Sequence, residues 1–75
     1  METIRILHIV SGKMNIGGLE TFIMNLYRHI NRELFQFDFL IHGNTGGEYS
    51  SEISEFGGRI YKIIVSATDI YIKRI

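Results

Sequence analysis

An α/β fold, a Rossmann-like partial doubly wound parallel sheet of order β-α-β-α-β-α, is what this sequence predicts. Three features carry the expectation. Runs of β-branched and aromatic residues recur at 4–10, 35–41 and 59–65, and stretches with helical spacing separate them. The connections are short, as right-handed crossovers between parallel strands allow.

The first run, IRILHIV, is apolar on both parities and reads as a central parallel strand covered by helices on both faces. Leu19, Phe22, Ile23, Leu26, Tyr27 and Ile30 then recur at steps of three and four, one broad apolar stripe on a helix from about 18 to 31. Glu20 in its first turn and Arg28, His29 and Arg32 near its end suit the helix dipole. The second strand, FQFDFLI at 35–41, begins with strict alternation and ends apolar, so one end is partly wet. Asp38, between Phe37 and Phe39, reads as an exposed residue or a structural hydrogen-bonding group.

Residues 42–47 form a loop by composition, and 49–56 fit two helical turns with Ile53 and Phe56 three apart. Gly57 and Gly58 stop that helix through a left-handed residue at its C-terminal cap. RIYKIIV at 59–65 is the third strand, and 66–75 reads as a cap followed by the opening of another helix. Three parallel strands need both faces covered, yet only two complete helices are on offer. The chain therefore reads as one unit, 1–75, of an unfinished domain.

Size and charge bound the function. A 75-residue chain buries only about 60% of the surface its unfolded form exposes, so stability is marginal. No cysteine is present, and His8, His29 and His42 are too dispersed to suggest a metal site. Eight basic and eight acidic residues cancel, which argues against nucleic-acid binding. The apolar run at 6–10 is too short for a membrane span and lacks a cleavage site, so a cytoplasmic chain is expected.

The candidate site is the loop at 11–18, after the first strand, where open parallel sheets bind ligands. Gly17 and Gly18 stand at the entry to the helix, where bare backbone N–H groups and the helix dipole can meet an anion. A Walker A loop fails, because Gly18 and Leu19 occupy its Lys and hydroxyl positions. A dinucleotide fingerprint fails on spacing, and His42 replaces the ribose-binding acid after the second strand. The competing reading is that the glycine pair serves only tight turning or close helix packing.

Glu20 beside a phosphate site would repel the ligand, so its expected role is bracing the loop. His8, alternating with apolar neighbours, reads as a core histidine satisfied by a backbone partner. His42, at the functional edge, is the better site candidate. No Ser-His-Asp, Cys-His or paired-carboxylate arrangement can be assembled from these residues.

The run IRILHIVSGKMNIGGLETFIMNLYRHINRELFQFDFLIHG, followed by GGRIYKI, resembles the N-terminus of glycosyltransferase family 4, retaining sugar-nucleotide-dependent enzymes of GT-B fold that build bacterial polysaccharides. Its most specific pieces are the strand ending in His-Ile-Val, the loop with Gly17-Gly18-x-Glu20, and the helix containing Asn25-Leu26-Tyr27. The resemblance implies an acceptor-side domain facing a second, donor-binding domain. It also implies that the backbone of the glycine loop, here Gly17 and Gly18, reaches the donor diphosphate; Asn15 is a candidate in the same loop, and His42 and Glu20 are the substrate-binding candidates. The donor is then a substrate, with no separate cofactor or metal, and the acceptor is a sugar or a lipid-linked sugar, in some relatives at the inner membrane surface.

The donor domain, with its pair of glutamates, is absent from the 75 residues, and Glu48, Glu52 and Glu55 do not reproduce the pair. The chain by itself is expected to be inactive and to self-associate through apolar surface left bare. Two alternatives remain at this point: a non-catalytic α/β interaction module, and a small phosphate- or nucleotide-binding domain.

Overall fold

The computed structural model describes residues 2–43 and 46–75; the loop reading at 44 and 45 lies outside them. The elements run β1 (Ile4–Ile9), α1 (Gly18–His29), β2 (Phe35–Ile41), α2 (Ser50–Glu55), β3 (Arg59–Val65) and β4 (Ile70–Arg74). The fold is α/β, a partial Rossmann-like arrangement in which β1, β2 and β3 are parallel and lie in the order β1-β2-β3-β4.

Two crossovers that step in the same direction place both helices on one face of the sheet. Tyr27 of α1 stacks on Phe37 of β2 at 4.8 Å, and Ile53 of α2 joins the same core. That core holds Val10, Met14, Met24, Tyr27, Phe37, Phe39, Ile41, Ile53 and Ile60. The molecule measures 41 × 30 × 17 Å, and its thin dimension accommodates one sheet and one helical layer.

The short helix and third strand match expectation. Gly57 adopts φ +92°, and Gly57 N donates to Ser54 O at 3.1 Å while Gly58 N donates to Ile53 O at 2.9 Å. These paired bonds satisfy carbonyls that α2 would otherwise leave bare. Gly58 has a second role: a methyl group there would lie 2.7 Å from both Ile53 Cγ2 and Phe37 O.

Four expectations are corrected. β1 is an edge strand, because β2 takes the central place between β1 and β3, and Ile4, Ile6, Leu7 and Ile9 remain 40–73% exposed. The segment 66–75 is a turn and a strand, with β4 antiparallel to β3. Ser66 does cap, but its hydroxyl accepts from Asp69 N at 2.9 Å within a hairpin turn, and Ile70, Tyr71 and Ile72 then pair with Val65, Ile64 and Ile63. A serine hydroxyl serves a hairpin turn as readily as a helix start, so the cap signal alone does not choose.

The stripe on α1 is narrower than its spacing suggests. Met24 and Tyr27 are fully buried and Ile23 and Ile30 partly so, whereas Leu19, Phe22 and Leu26 stay exposed. His8 lacks the expected backbone partner. Its ring meets Phe37 edge-on at 4.3 Å and Phe39 in a stack at 5.4 Å, and its buried Nε2 has no hydrogen-bond partner among the described residues.

Candidate functional site

The loops that follow β1 and β2 meet at the carboxyl end of the sheet because hydrogen bonds lace them together. Val10 N donates to Leu40 O at 2.8 Å, His42 N to Gly12 O at 3.2 Å, Met14 N to Gly46 O at 3.1 Å, and Tyr49 N to Met14 O at 2.9 Å. Fully buried Met14 anchors the first loop in the core. Gly47, with φ +89°, is compelled to be glycine twice over, since a methyl group would sit 2.7 Å from Met14 O.

Asn15 is the crosspiece. Its Oδ1 accepts from Glu48 N at 3.0 Å, and Glu48 Oε1 accepts from Ile16 N at 3.4 Å. Asn15 therefore shapes the loop, with its carbonyl already engaged. His42 Nδ1 lies 3.1 Å from Val10 O, so the ring folds back on the end of β1 with the Nδ1–H donating. Lys13, exposed in the first loop, lays its side-chain stem against Gly43.

Gly17 is the residue before α1, with extended backbone at φ −167°, and no side chain caps the helix. Neither Gly17 nor Gly18 has positive φ. Turn geometry therefore explains neither glycine. A methyl group on Gly18 would meet nothing within 4 Å, so close packing does not explain it either. On Gly17 it would approach Glu20 Oε2 at 2.8 Å: the carboxylate of the first turn lies over Gly17, where the positive end of the helix favours it.

The structure thus brings Gly17, Gly18 and Glu20 together at the first turn of α1, ties Asn15 to the second loop, and bonds His42 to Val10. Sequence reasoning missed Glu48, which holds Ile16, and Tyr49, whose phenol lies 2.9 Å from Thr21 Oγ1 of α1. These contacts span 32 and 28 residues, beyond any local spacing signal. Chemically, among the described residues this surface offers the Gly17 and Gly18 backbone N–H groups, the exposed Lys13 ammonium, and the Glu20 and Glu48 carboxylates. Among the described residues, no group of three or more His, Asp or Glu is placed to hold a metal ion. No helix of the described residues is long and apolar enough to cross a membrane.

Comparison with known proteins bears on what such a loop serves. Over 59 residues the chain is 48% identical to a Bacillus subtilis (strain 168) protein, "Putative glycosyltransferase EpsF". The similarity supports a glycosyltransferase segment. The aligned stretch covers 79% of this chain but 15% of that relative, so the chain spans a small part of the relative's length. No family model matches the chain, and no solved structure gives a significant match.

Proposed function

We infer that the chain is the acceptor-side, N-terminal segment of a sugar-nucleotide-dependent glycosyltransferase of GT-B organisation, serving polysaccharide or glycolipid biosynthesis. The observation that carries the class is the 48% identity to a glycosyltransferase-named relative. The geometry of Gly18 supports the placement of the donor: an exposed residue with ordinary backbone and open space where a side chain would stand leaves room for a diphosphate beside the first turn of α1. In glycosyl transfer the diphosphate leaves with growing negative charge, which preorganised N–H donors at a helix start stabilise most in the transition state. Lys13 adds a cation to the same loop, while Glu20 braces the turn and tempers affinity for the anion.

Under this reading the nucleotide-sugar is a substrate, the acceptor is a sugar or lipid-linked sugar, and the working place is the cytoplasm at the inner membrane surface. The 75 residues alone lack a second wall for a water-excluding cleft and do not turn over. A radiolabelled sugar-nucleotide assay on this chain should show no transfer, and transfer would overturn that part of the reading. Titration with a nucleoside diphosphate should shift the Gly17 and Gly18 amides locally and leave Gly57 and Gly58 unmoved. Gly18→Val should abolish the shifts with the fold intact. Silence at Gly17 and Gly18 would instead favour a non-catalytic interaction module.

A further inference from the structure

We propose that Gly43 is the positioning residue for Lys13: it leaves open the slot along which the lysine side chain lies, and the ammonium so placed meets a phosphate of the nucleotide-sugar diphosphate. The inference rests on the diphosphate reading of the glycine loop and adds to it a second loop that aims the cation.

The base of Lys13 is fixed although its side chain is exposed. The loops at 11–18 and 42–49 run side by side: His42 N donates to Gly12 O at 3.2 Å, Met14 N to Gly46 O at 3.1 Å, and Glu48 N to Asn15 Oδ1 at 3.0 Å. Lys13 stands between the first two of these bonds, and its own carbonyl accepts from Asn15 N at 2.9 Å. Its neighbour Met14 is fully buried. The side chain therefore leaves a tethered stretch of backbone.

Gly43 faces the stem along most of its length. A methyl group there would lie 3.0 Å from Lys13 Cε, 3.3 Å from Cγ and 3.7 Å from Cδ. Carbon atoms pack at about 3.5–4.0 Å, so the stem would have to swing aside, and with it the ammonium. Backbone conformation also favours glycine here, at φ +136°, and the paired variants below separate the two causes.

Charge explains why a cation is needed. Glu20 lies over Gly17, and Glu48 Oε1 accepts from Ile16 N at 3.4 Å, so two carboxylates already flank the glycine loop and oppose an anion. Lys13 is the one lysine or arginine within 11–18 and 42–49. The ion pairs among the described residues are Arg5–Asp38 and Arg28–Glu52, so Lys13 is spent on neither carboxylate. An ammonium binds phosphate as a point charge on a flexible stem, and its effect depends on where that stem is held.

Titration of this chain with inorganic pyrophosphate at low ionic strength, read at the Gly17 and Gly18 amides, tests the inference. Lys13→Met keeps an apolar stem, removes the charge, and should weaken binding about fivefold, while Lys13→Arg should retain it. Gly43→Ala should weaken binding about threefold with Lys13 present and leave it unchanged in the Lys13→Met background. Strain at φ +136° lowers the melting temperature alike in both backgrounds, so melts report it separately. In the wild-type chain, nuclear Overhauser contacts should join the Lys13 Cε protons to the Gly43 Hα protons, and their absence would refute the slot however Gly43→Ala folds. Equal loss of affinity from Gly43→Ala in both backgrounds, or none in either, would refute the positioning role. Lys13→Met at wild-type affinity would remove the cation from the site and leave the diphosphate reading standing. Silent Gly17 and Gly18 amides in the wild type would overturn that reading and this inference together.

Discussion

Arg5 of β1 clasps Asp38 of β2 through two bonds, Nε to Oδ2 at 2.9 Å and Nη2 to Oδ1 at 2.7 Å. Asp38 Oδ1 also accepts from Arg59 N at 3.0 Å, so one carboxylate ties three strands on the face that carries no helix. Burial of Asp38 pushes its pKa upward, but the Arg5 guanidinium and the Arg59 backbone N–H outweigh that and hold it below the ordinary value. Because the folded pKa is the lower one, this stabilisation is complete above the unfolded pKa of about 3.9 and is lost as pH falls through the folded pKa. Asp38→Asn should cost about 2 kcal/mol at neutral pH, a figure kept modest because the Arg5 side is partly solvated. Urea titrations at pH 7 and pH 3 check it: the gap between wild type and variant should narrow in acid.

Gly58 and Gly18 look alike in the sequence and should behave as opposites. A methyl group on Gly58 would strike Phe37 O and Ile53 Cγ2 at 2.7 Å and the Tyr27 hydroxyl at 2.8 Å. Gly58→Ala should therefore destabilise by about 3 kcal/mol, since backbone and core must both shift. Gly18→Ala meets open space on a helical backbone and should stay within about 1 kcal/mol of wild type, with any change on the stabilising side. Thermal melts of the two variants, run side by side, separate a packing glycine from one left free for a ligand.

Tyr27 anchors α1 through both its ring and its hydroxyl. The ring stacks on Phe37, and the hydroxyl donates to Gln36 Oε1, while Gln36 Nε2 donates to Arg32 O at 3.2 Å and Phe56 O at 2.6 Å. Gln36 thus joins the ends of both helices to β2. Tyr27→Phe keeps the stack and leaves the buried amide oxygen unpaired, so a loss of about 1–2 kcal/mol is expected. Denaturant midpoints at constant slope measure it.

How much of this was legible depends on the range of the deciding contact. The parallel strands, α1 and α2 announce themselves locally, through runs at 35–41 and 59–65, the acidic and basic ends of α1, and the left-handed Gly57. The edge position of β1 did not, because IRILHI is patterned for burial on both faces and strand order is set by the crossovers rather than by the strand itself. β4 was read as a helix because Ser66 is an equally good cap for either outcome and tertiary pairing with β3 decided it. At the site, the glycine pair was visible, but that turn geometry does not require it became clear only from its backbone angles and the empty space at Gly18. Asn15 was assigned to the same loop by resemblance, whereas its bond to Glu48 crosses 33 residues that no local pattern relates.

His8 should make the fold sensitive to mild acid. Its ring packs between Phe37 and Phe39, Nε2 is buried without a partner, and burial lowers its pKa below the usual imidazole value. The unfolded chain then binds the proton more readily than the folded one, so stability rises with pH across that interval. It is complete above the unfolded pKa of about 6.5 and falls as pH drops toward the lower folded value, the window of an uncharged ring that must become charged against two aromatic faces. His8→Phe keeps an aromatic ring in the same packing and removes the titration. Between pH 7 and pH 5 the wild type should lose stability that the variant retains. Parallel pH-dependent melts of the two proteins, compared over that interval alone, keep the effect apart from Asp38, which titrates below it. Equal slopes for wild type and His8→Phe would mean that the imidazole finds a proton acceptor in solution and is not the acid-labile point of the sheet.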